Sequence, residues 1–207
     1  MRALASLAMV LLVGCSSVLG IENPRPAGDG GPTQDVGITQ QCHPVINELM
    51  TGSLVSPADE WVEVFNPCPD PVDVTSWTLV YRSASNAGST DSSVLDTLMG
   101  SMAKGDFRLY AGIGFLGTSD HQWIGMNGLI GQVAGAVGLR DNTGALADSI
   151  AYGAVAPAHP FIETKPIPAM ANGKSASRLP LDGNDTNDNS VDFEIIAVGT
   201  PRTSNVL

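Results

Sequence analysis

Short runs that alternate apolar and polar residues recur along the chain from residue 42 onward, and groups of Gly, Pro, Asn and Asp separate them. Runs of this length and period are typical of half-buried β-strands. No run keeps the 3.6-residue apolar period of a helix over a useful length. The pattern predicts strands at residues 45–50, 60–65, 76–82, 93–98, 106–112, 136–141 and 146–153, with edge strands at 175–180 and 191–196.

The number of these runs predicts how they pack. Seven or more short strands without intervening helices favour an all-β fold in which two sheets face each other. One turn can be assigned by type, because Asp141-Asn142-Thr143-Gly144 lies between two apolar runs and Gly144 can take the positive φ of a hairpin turn. We therefore predict an all-β sandwich domain over residues 42–207.

A hairpin built from the first two predicted strands would bring two cysteines together. If Met50 faces Glu60, the numbers of paired residues sum to 110, and Cys42 then faces Cys68. Opposed residues on antiparallel strands have Cα atoms about 4.5–5.5 Å apart, which is within disulfide range. We predict a disulfide between Cys42 and Cys68, and two free thiols are the alternative.

Three prolines surround Cys68, at positions 67, 69 and 71. Proline cannot donate a ladder hydrogen bond, and it favours extended geometry in the residue before it. We therefore expect the chain to leave one sheet at this point and to cross to another strand. Trp77 then enters the core as a buried anchor.

The first residues have the composition of an export signal. An apolar stretch at about residues 4–13 follows Arg2 and is too short to span a bilayer as a helix. Leu12-Val13-Gly14-Cys15 resembles the bacterial lipobox, in which the cysteine is acylated and the signal is cut just before it. We predict a lipoprotein signal peptide at residues 1–14 and lipidation of Cys15. An ordinary cleaved signal with an accidental cysteine is the alternative.

Residues 15–41 are predicted to form a disordered, lipid-anchored linker, because they are rich in Gly and Pro and have no apolar period. A flexible coil of this length has an end-to-end distance of about 30 Å. Several acyl chains, at about 0.8 kcal/mol per buried methylene, would hold such a protein on a membrane. Ser16 after the cysteine is compatible with the outer membrane in the lipobox pattern. The expected location is the bacterial cell envelope, at the periplasmic or surface face of the outer membrane.

The charge of the chain excludes one class of partner. Ten Lys and Arg residues stand against 21 Asp and Glu residues, which gives a formal net charge of −11. This average field repels phosphate backbones, and the basic residues are scattered along the sequence. We expect no nucleic-acid partner, and cation binding is the alternative that the charge allows.

Six short pieces of the chain, in their order and spacing, resemble the lamin tail domain family. The pieces are INE at 46–48, EWVEVFNP at 60–67, PVDVTSWTL at 71–79, VGLRD at 137–141, DSIAYG at 148–153 and SRL at 177–179. The resemblance implies an immunoglobulin-like β-sandwich that serves as a structural or ligand-binding module, without shared catalytic residues. Bacterial members of the family look like surface-targeting or interaction domains. Residues 83–93 and 112–135 are longer and richer in glycine than the loops usual in the family.

Two patterns suggest a functional site but lack the neighbouring sequence that such a site requires. Gly112-Ile-Gly114-Phe-Leu-Gly117 matches a dinucleotide-binding motif, but the sequence after it does not predict the helix that such a site needs, so we expect a mobile glycine-rich loop. The three histidines, His43, His121 and His159, stand in separate contexts without a zinc-ligand spacing, and we expect them at the surface.

The first of two open alternatives is a weak surface hydrolase. Glu48 and Glu63 would lie near each other on the predicted hairpin, and two carboxylates at such a distance can hydrolyse glycosides. Neighbouring acids on a hairpin that face water, or that pair with a basic residue or backbone amides, are the plainer interpretation.

The second alternative is a calcium-dependent adhesin that uses the turn at residues 182–192. This turn offers a dense set of hard oxygen ligands, which suit Ca²⁺. However, the EF-hand spacing fails, and Asp and Asn also stabilise turns by bonding their own backbone. The candidate calcium ligands are Asp182, Asn184, Asp185, Asn187, Asp188 and Asp192.

The sequence as a whole predicts a cell-envelope lipoprotein that is not an enzyme and needs no cofactor, with calcium as the exception left open. The protein would present a lamin-tail-like sandwich at the membrane surface. Its expected partners are the membrane, through the lipid anchor, and another envelope protein or a polysaccharide.

Overall fold

Strands form almost all of the regular structure in the computed structural model, which describes residues 42–125 and 128–206. The described part contains twelve strands and one helical turn. They are β1 Val45–Met50, β2 Trp61–Phe65, β3 Val72–Asp73, β4 Thr78–Ser83, β5 Ser93–Thr97, β6 Ser101–Met102, β7 Phe107–Gly112, β8 His121–Trp123, β9 Gly135–Arg140, β10 Leu146–Tyr152, β11 Ser175–Arg178, α1 Asn189–Asp192 and β12 Phe193–Ile196.

Two sheets pack face to face, which confirms the predicted β-sandwich. The six-stranded sheet has the order β12-β11-β1-β2-β7-β8, and the four-stranded sheet has the order β10-β9-β4-β5. The main core lies between them, and it includes Ile46, Leu49 and Val62 from the first sheet and Leu79 and Leu139 from the second. This core lies within one compact unit, Gln41–Leu207, which also contains both cysteines of the predicted disulfide.

The strand predictions hold to within about two residues for the seven central runs, and one edge prediction is wrong in part. The run at 191–196 begins with the helical turn α1, because Asp188 caps the turn by accepting a hydrogen bond from the Ser190 amide. The short strands β3, β6 and β8 carry too few residues for their period to be visible in the sequence.

A β-bulge at Asn47 changes the register of the first hairpin. Met50 pairs with Trp61, so the prediction that it faces Glu60 is wrong by one residue. Ile46 and Leu49 both enter the core although they are three positions apart, and only an extra residue on the outer face permits this. Beyond the bulge the pair numbers sum to 110, as in the Val45–Phe65 pair.

The restored register places the two cysteines opposite each other. Cys42 and Cys68 form a disulfide with Cα atoms 5.6 Å apart, as predicted. After Phe65 the chain passes the three prolines, contributes β3 to a small sheet with β6, and enters the second large sheet as β4. Trp77, just before β4, is buried in the core.

The outer face of each large sheet is covered by an irregular segment of the same chain. Residues 197–206 lie over the six-stranded sheet, where Gly199 packs on the Trp61 ring. Over the four-stranded sheet, Phe161 packs with Val80 and Ala136, and the guanidinium of Arg82 lies 4.8 Å from its ring centroid. The central strands of both sheets are therefore buried on two sides, while the edge strands β5, β8 and β12 keep exposed residues.

The free edge of β10 is occupied by side chains that imitate a neighbouring strand. Asn189 accepts a hydrogen bond from the Ala151 amide at 2.9 Å and donates one to the Ser149 carbonyl at 2.8 Å. The Glu163 carboxylate accepts the Ser149 amide at 2.9 Å. This edge is thereby closed to pairing with another strand.

Among the described residues, the helical content is limited to short turns. None of the helices there has the length and the apolar character that crossing a membrane requires.

Loss of the disulfide should weaken the domain without changing its fold. The bond closes a loop with a sequence separation of 26 residues, for which chain entropy gives a contribution of about 3.5 kcal/mol. We expect a Cys42→Ala, Cys68→Ala double variant to have a free energy of unfolding lower by that amount and a lower urea midpoint. Its circular dichroism spectrum should be that of the native protein. Dithiothreitol should lower the midpoint of the wild-type domain and leave that of the variant unchanged. Equal midpoints for the two proteins would contradict the prediction.

Candidate functional site

Glu48 and Glu63 are opposed residues of β1 and β2, as the sequence suggested, but both are completely buried. Ser175 and Ser177 each donate a hydroxyl hydrogen bond of 2.6 Å to Glu48 Oε1. The Thr200 amide donates to Glu48 Oε2 at 3.0 Å. The covering segment 197–206 thus uses the first carboxylate as an anchor.

The second carboxylate has the same function. Glu63 Oε1 accepts from Asn47 Nδ2 at 3.1 Å, and Glu63 Oε2 accepts from the Arg202 amide. Burial is the main cause that raises the pKa of Glu63 to about 7, and the nearby Glu48 carboxylate adds to it. Burial also raises the pKa of Glu48. The two acids are opposed across the hairpin, but their oxygens accept hydrogen bonds from β11 and from the covering segment.

The six candidate calcium ligands do not converge on one point. Asp182 accepts from Asn47 Nδ2 and the Asn205 amide, while Asp188 caps α1. Asp185 accepts from the Asn187 amide, in a local turn. Asp192 accepts from Thr186. The Asn184 carbonyl accepts from Arg178, and the Asn187 carbonyl accepts from Thr164. Most of these oxygens already have a donor from the chain.

Arg178 provides the positive charge of this region. Its guanidinium is fully buried and donates to Asp148 at 2.8 Å, and it lies 3.3 Å from Asp192. It also donates to the Ile46 carbonyl, while Asp148 accepts the Ile46 amide. The ion pair thus satisfies the backbone groups beside the bulge, which strand pairing leaves open.

One group of carboxylates near Arg178 is close enough to hold a metal ion. Oxygens of Asp148, Glu163 and Asp185 lie within 4.8 Å of one another. Burial is the main cause that raises the pKa of Glu163 to about 8, and the Asp148 and Asp185 carboxylates contribute. A protonated Glu163 and the Arg178 charge reduce the repulsion here, so we assign the group a structural role.

The histidines occupy three unlike environments. His121 is exposed, and its Nδ1 lies 2.5 Å from Asp96 Oδ2 across the two sheets. His43 is partly buried beside the disulfide end of the sandwich. The prediction of a surface position is wrong for His159, which is buried and whose ring packs edge-on against Phe161. Burial lowers the pKa of His159.

A cleft of about 390 Å³ lies where β5 and β8 form neighbouring edges of the two sheets. Its lining residues are Thr97, Met99, Arg108, Tyr110, Asp120 and His121. The guanidinium of Arg108 donates to the Met99 and Ser101 carbonyls. Burial raises the pKa of Tyr110 to about 12, so its hydroxyl stays protonated. The cleft offers hydrogen-bonding groups but no serine in its lining.

The glycine-rich motif at 112–117 forms a loop that packs on the β1–β2 loop. The Gly114 amide donates to the Ala58 carbonyl at 3.0 Å, and a Cβ at Gly114 would lie 2.6 Å from the Ala58 carbonyl carbon. The glycines therefore permit close backbone approach between two loops. In residues 112–125 the structure contains no helix that could cradle a pyrophosphate.

Glu60 organises these loops, and the sequence did not reveal its role. Its carboxylate is completely buried and accepts the Trp123 indole at 3.0 Å, the Leu129 amide at 2.6 Å and the Ile130 amide at 2.8 Å. Burial raises the pKa of Glu60, and these donors oppose the shift. The loop after β8 is thereby fastened to the start of β2.

Above this anchor, bulky apolar side chains project into solvent from three neighbouring loops. Leu116 is 98% exposed, Val55 94% and Leu54 86%. The loops themselves, at 51–58, 111–119 and 124–135, contain no Asp, Glu, Lys, Arg or His. We call this surface the apolar loop end; its members are Leu54, Val55, Ile113, Leu116, Ile124 and Val133.

The strand registers place the apolar loop end opposite the disulfide. β1 ends and β2 begins at the apolar loop end, whereas Cys42 and Cys68 lie at the other end of the same hairpin. Residues 1–14, the proposed lipidation site Cys15 and the linker lie outside the described residues.

A scan against protein-family models found no match, and neither did a search of curated proteins. The class of protein that the fold defines is therefore an all-β sandwich with a disulfide, and its function must be inferred from the surfaces described above.

The buried Glu63 should make stability depend on pH. Its pKa is about 7 in the folded protein against 4.5 for the ordinary group, so folding favours the protonated acid. The resulting stability is complete below pH 4.5 and is lost as the pH rises to about 7. The difference corresponds to about 3 kcal/mol at most.

We expect Glu63→Gln to flatten the decline in the free energy of unfolding between pH 5 and 8, measured by urea titration at several pH values. Because other buried acids also have raised pKa values, part of the decline in the free energy of unfolding with pH should remain in both proteins. The matched control is Glu194→Gln, which changes an exposed glutamate on β12 and should leave the profile as in wild type. Parallel profiles for wild type and Glu63→Gln would refute the prediction.

Removal of the Arg178 charge should be strongly destabilising. Arg178→Gln leaves Asp148 and Asp192 buried without a cation, and we expect a loss of about 3–5 kcal/mol in urea unfolding. The matched control is Arg202→Gln, which removes an ion pair of two half-exposed side chains with Asp120 and should cost less than about 1 kcal/mol. Similar losses for the two variants would show that burial of the pair is unimportant.

Proposed function

We propose that the protein is a lipid-anchored binding module of the bacterial cell envelope, acylated at Cys15, whose sandwich of lamin tail type presents a contact surface without catalysing a reaction. The linker at 15–41 connects the anchor to the domain. The proposed location is the outer membrane, and the proposed partners are another envelope protein or a polysaccharide in addition to the membrane.

The observation that best supports this proposal is that the buried acidic residues hold irregular segments of the chain on the sandwich. Glu48, Glu60 and Glu63 are buried, and each accepts backbone amides that fasten an irregular segment to the sandwich. Glu48 and Glu63, the two acids considered for hydrolysis, thus have structural partners. The three loops of the apolar loop end contain no charged residue and expose large apolar side chains, which suits contact better than chemistry.

The disulfide supports export of the chain. Such bonds persist in oxidising compartments such as the periplasm and the cell surface. The bond between Cys42 and Cys68 therefore agrees with the signal sequence and with the lipobox pattern at residues 12–15.

Acylation can be tested directly in cells. We expect the full chain, expressed in a Gram-negative host with an alkyne-tagged fatty acid, to take up label and to fractionate with the outer membrane. Cys15→Ser should abolish both, whereas Ser16→Ala, the matched control, should keep the label. Absence of label on the wild-type chain would overturn the anchor.

The non-catalytic assignment has its own test. We expect the purified protein to turn over none of a panel of glycans, esters and phosphodiesters. Turnover that disappears in Glu63→Gln, with an unchanged circular dichroism spectrum, would establish the hydrolase alternative and refute the proposal. If no turnover is found, cross-linking of the anchored protein in cells would identify the molecule that it contacts.

A further inference from the structure

The apolar loop end combines properties that point to one kind of surface. We propose that it inserts into a lipid bilayer, with Leu54, Val55 and Leu116 entering the boundary between headgroups and acyl chains. The inference goes beyond the anchor at Cys15, because it assigns a second membrane contact to the folded domain itself.

The shape of the surface favours a fluid partner. The apolar side chains stand on separate loops that touch each other at their bases, through the Gly114–Ala58 hydrogen bond and through Thr51, which donates to the Gln132 carbonyl at 3.2 Å. Leu54, Val55 and Leu116 remain almost fully exposed above these contacts. Lipid can surround single protruding side chains, whereas a folded protein partner would need a matching pocket for each of them.

The charge distribution favours the same partner. The chain contains 31 charged residues, from 10 basic and 21 acidic ones, yet the three loops contain none of them. Burying a charge at the depth of the acyl chains is costly, so a surface that inserts must be free of charge. The domain carries 18 acidic and 8 basic residues, a net charge of −10, so it should prefer zwitterionic lipids to anionic ones.

The loops of the apolar loop end are fixed at their bases by hydrogen bonds and by close backbone contacts. The three hydrogen bonds to the buried Glu60 carboxylate fasten Trp123, Leu129 and Ile130 to the start of β2. The close approach at Gly112 and Gly114 fastens residues 112–117 to the β1–β2 loop. The protruding side chains are thus held on a rigid support, which lowers the entropy lost on insertion.

The linker allows both membrane contacts at once, and this step alone rests on the proposed function. Residues 16–41 can span at most about 90 Å when fully extended. The six-residue strand β1, which separates the disulfide end from the apolar loop end, is about 20 Å long. The domain can therefore turn its apolar loop end toward the bilayer that holds Cys15.

The test uses the segment Gln41–Leu207, which contains the complete core and the disulfide. The segment should float with phosphatidylcholine and phosphatidylethanolamine vesicles in a density gradient. Leu54→Ser combined with Leu116→Ser should reduce the bound fraction by about tenfold or more, because two large apolar side chains are lost. The melting temperature should show that the variant is folded.

The matched control removes two exposed apolar side chains at the disulfide end, by Met99→Ser combined with Leu181→Ser. This variant should bind vesicles as well as the wild-type segment does. A Leu116→Trp variant should shift its fluorescence to shorter wavelengths with vesicles and should be quenched by lipids with brominated acyl chains.

Any one of three vesicle results would overturn the proposal: no flotation of the wild-type segment, equal loss in the control variant, or an unshifted Leu116→Trp spectrum. Association of the segment with itself through these loops, without vesicle binding, would show a protein contact surface and would also overturn it. Since the segment lacks Cys15, its failure to bind leaves the acylation result untouched, and absence of acylation leaves the vesicle result untouched.

Discussion

Buried carboxylates that accept backbone amides hold the irregular parts of this protein in place. Glu48 and Glu63 fasten the C-terminal segment, Glu60 fastens the loop after β8, Glu163 closes the edge of β10, and Asp148 bonds the amide beside the bulge. An ionised carboxylate accepts an amide hydrogen bond more strongly than a neutral acid does, but burial makes the ionised form costly. The raised pKa values of Glu63 and Glu163 reflect that cost.

This arrangement suits a chain with few aromatic residues, which make up 5% of its composition. Large rings could cover the outer faces of the sheets by apolar contact, but Trp61 and Phe161 are among the few that do so here. Over the rest of those faces the chain uses its own backbone as a cover and fixes it by polar contacts. The same device gives the protein a surface whose remaining exposed apolar groups are concentrated on loops.

The main strands, the sandwich and the disulfide could be predicted because they follow from local patterns. Period-two alternation gives the strands, and the turn residues set their limits. The register was wrong by one near Met50 because a bulge leaves no local sign except the three-residue spacing of Ile46 and Leu49. The cysteine pairing survived this error because the bulge restores the assumed register before Cys42 is reached.

The covered acids could not be predicted, because their cover comes from distant parts of the chain. Glu63 alternates with Val62 and Val64, which is the pattern of a strand face in water, and the Arg202 amide that buries it is 139 residues away. His159 and Glu60 are similar cases. The candidate calcium turn was ambiguous for the opposite reason, since its oxygens are close in sequence but bond to separate donors in the fold.

The closed edge of β10 limits how copies of this domain can associate. An unpaired edge strand can pair with the edge of another copy and extend the sheet from one molecule to the next. Here the amide of Asn189 occupies the positions where a second copy would add its own peptide groups. Crowded copies of this domain can therefore touch without polymerising through that strand.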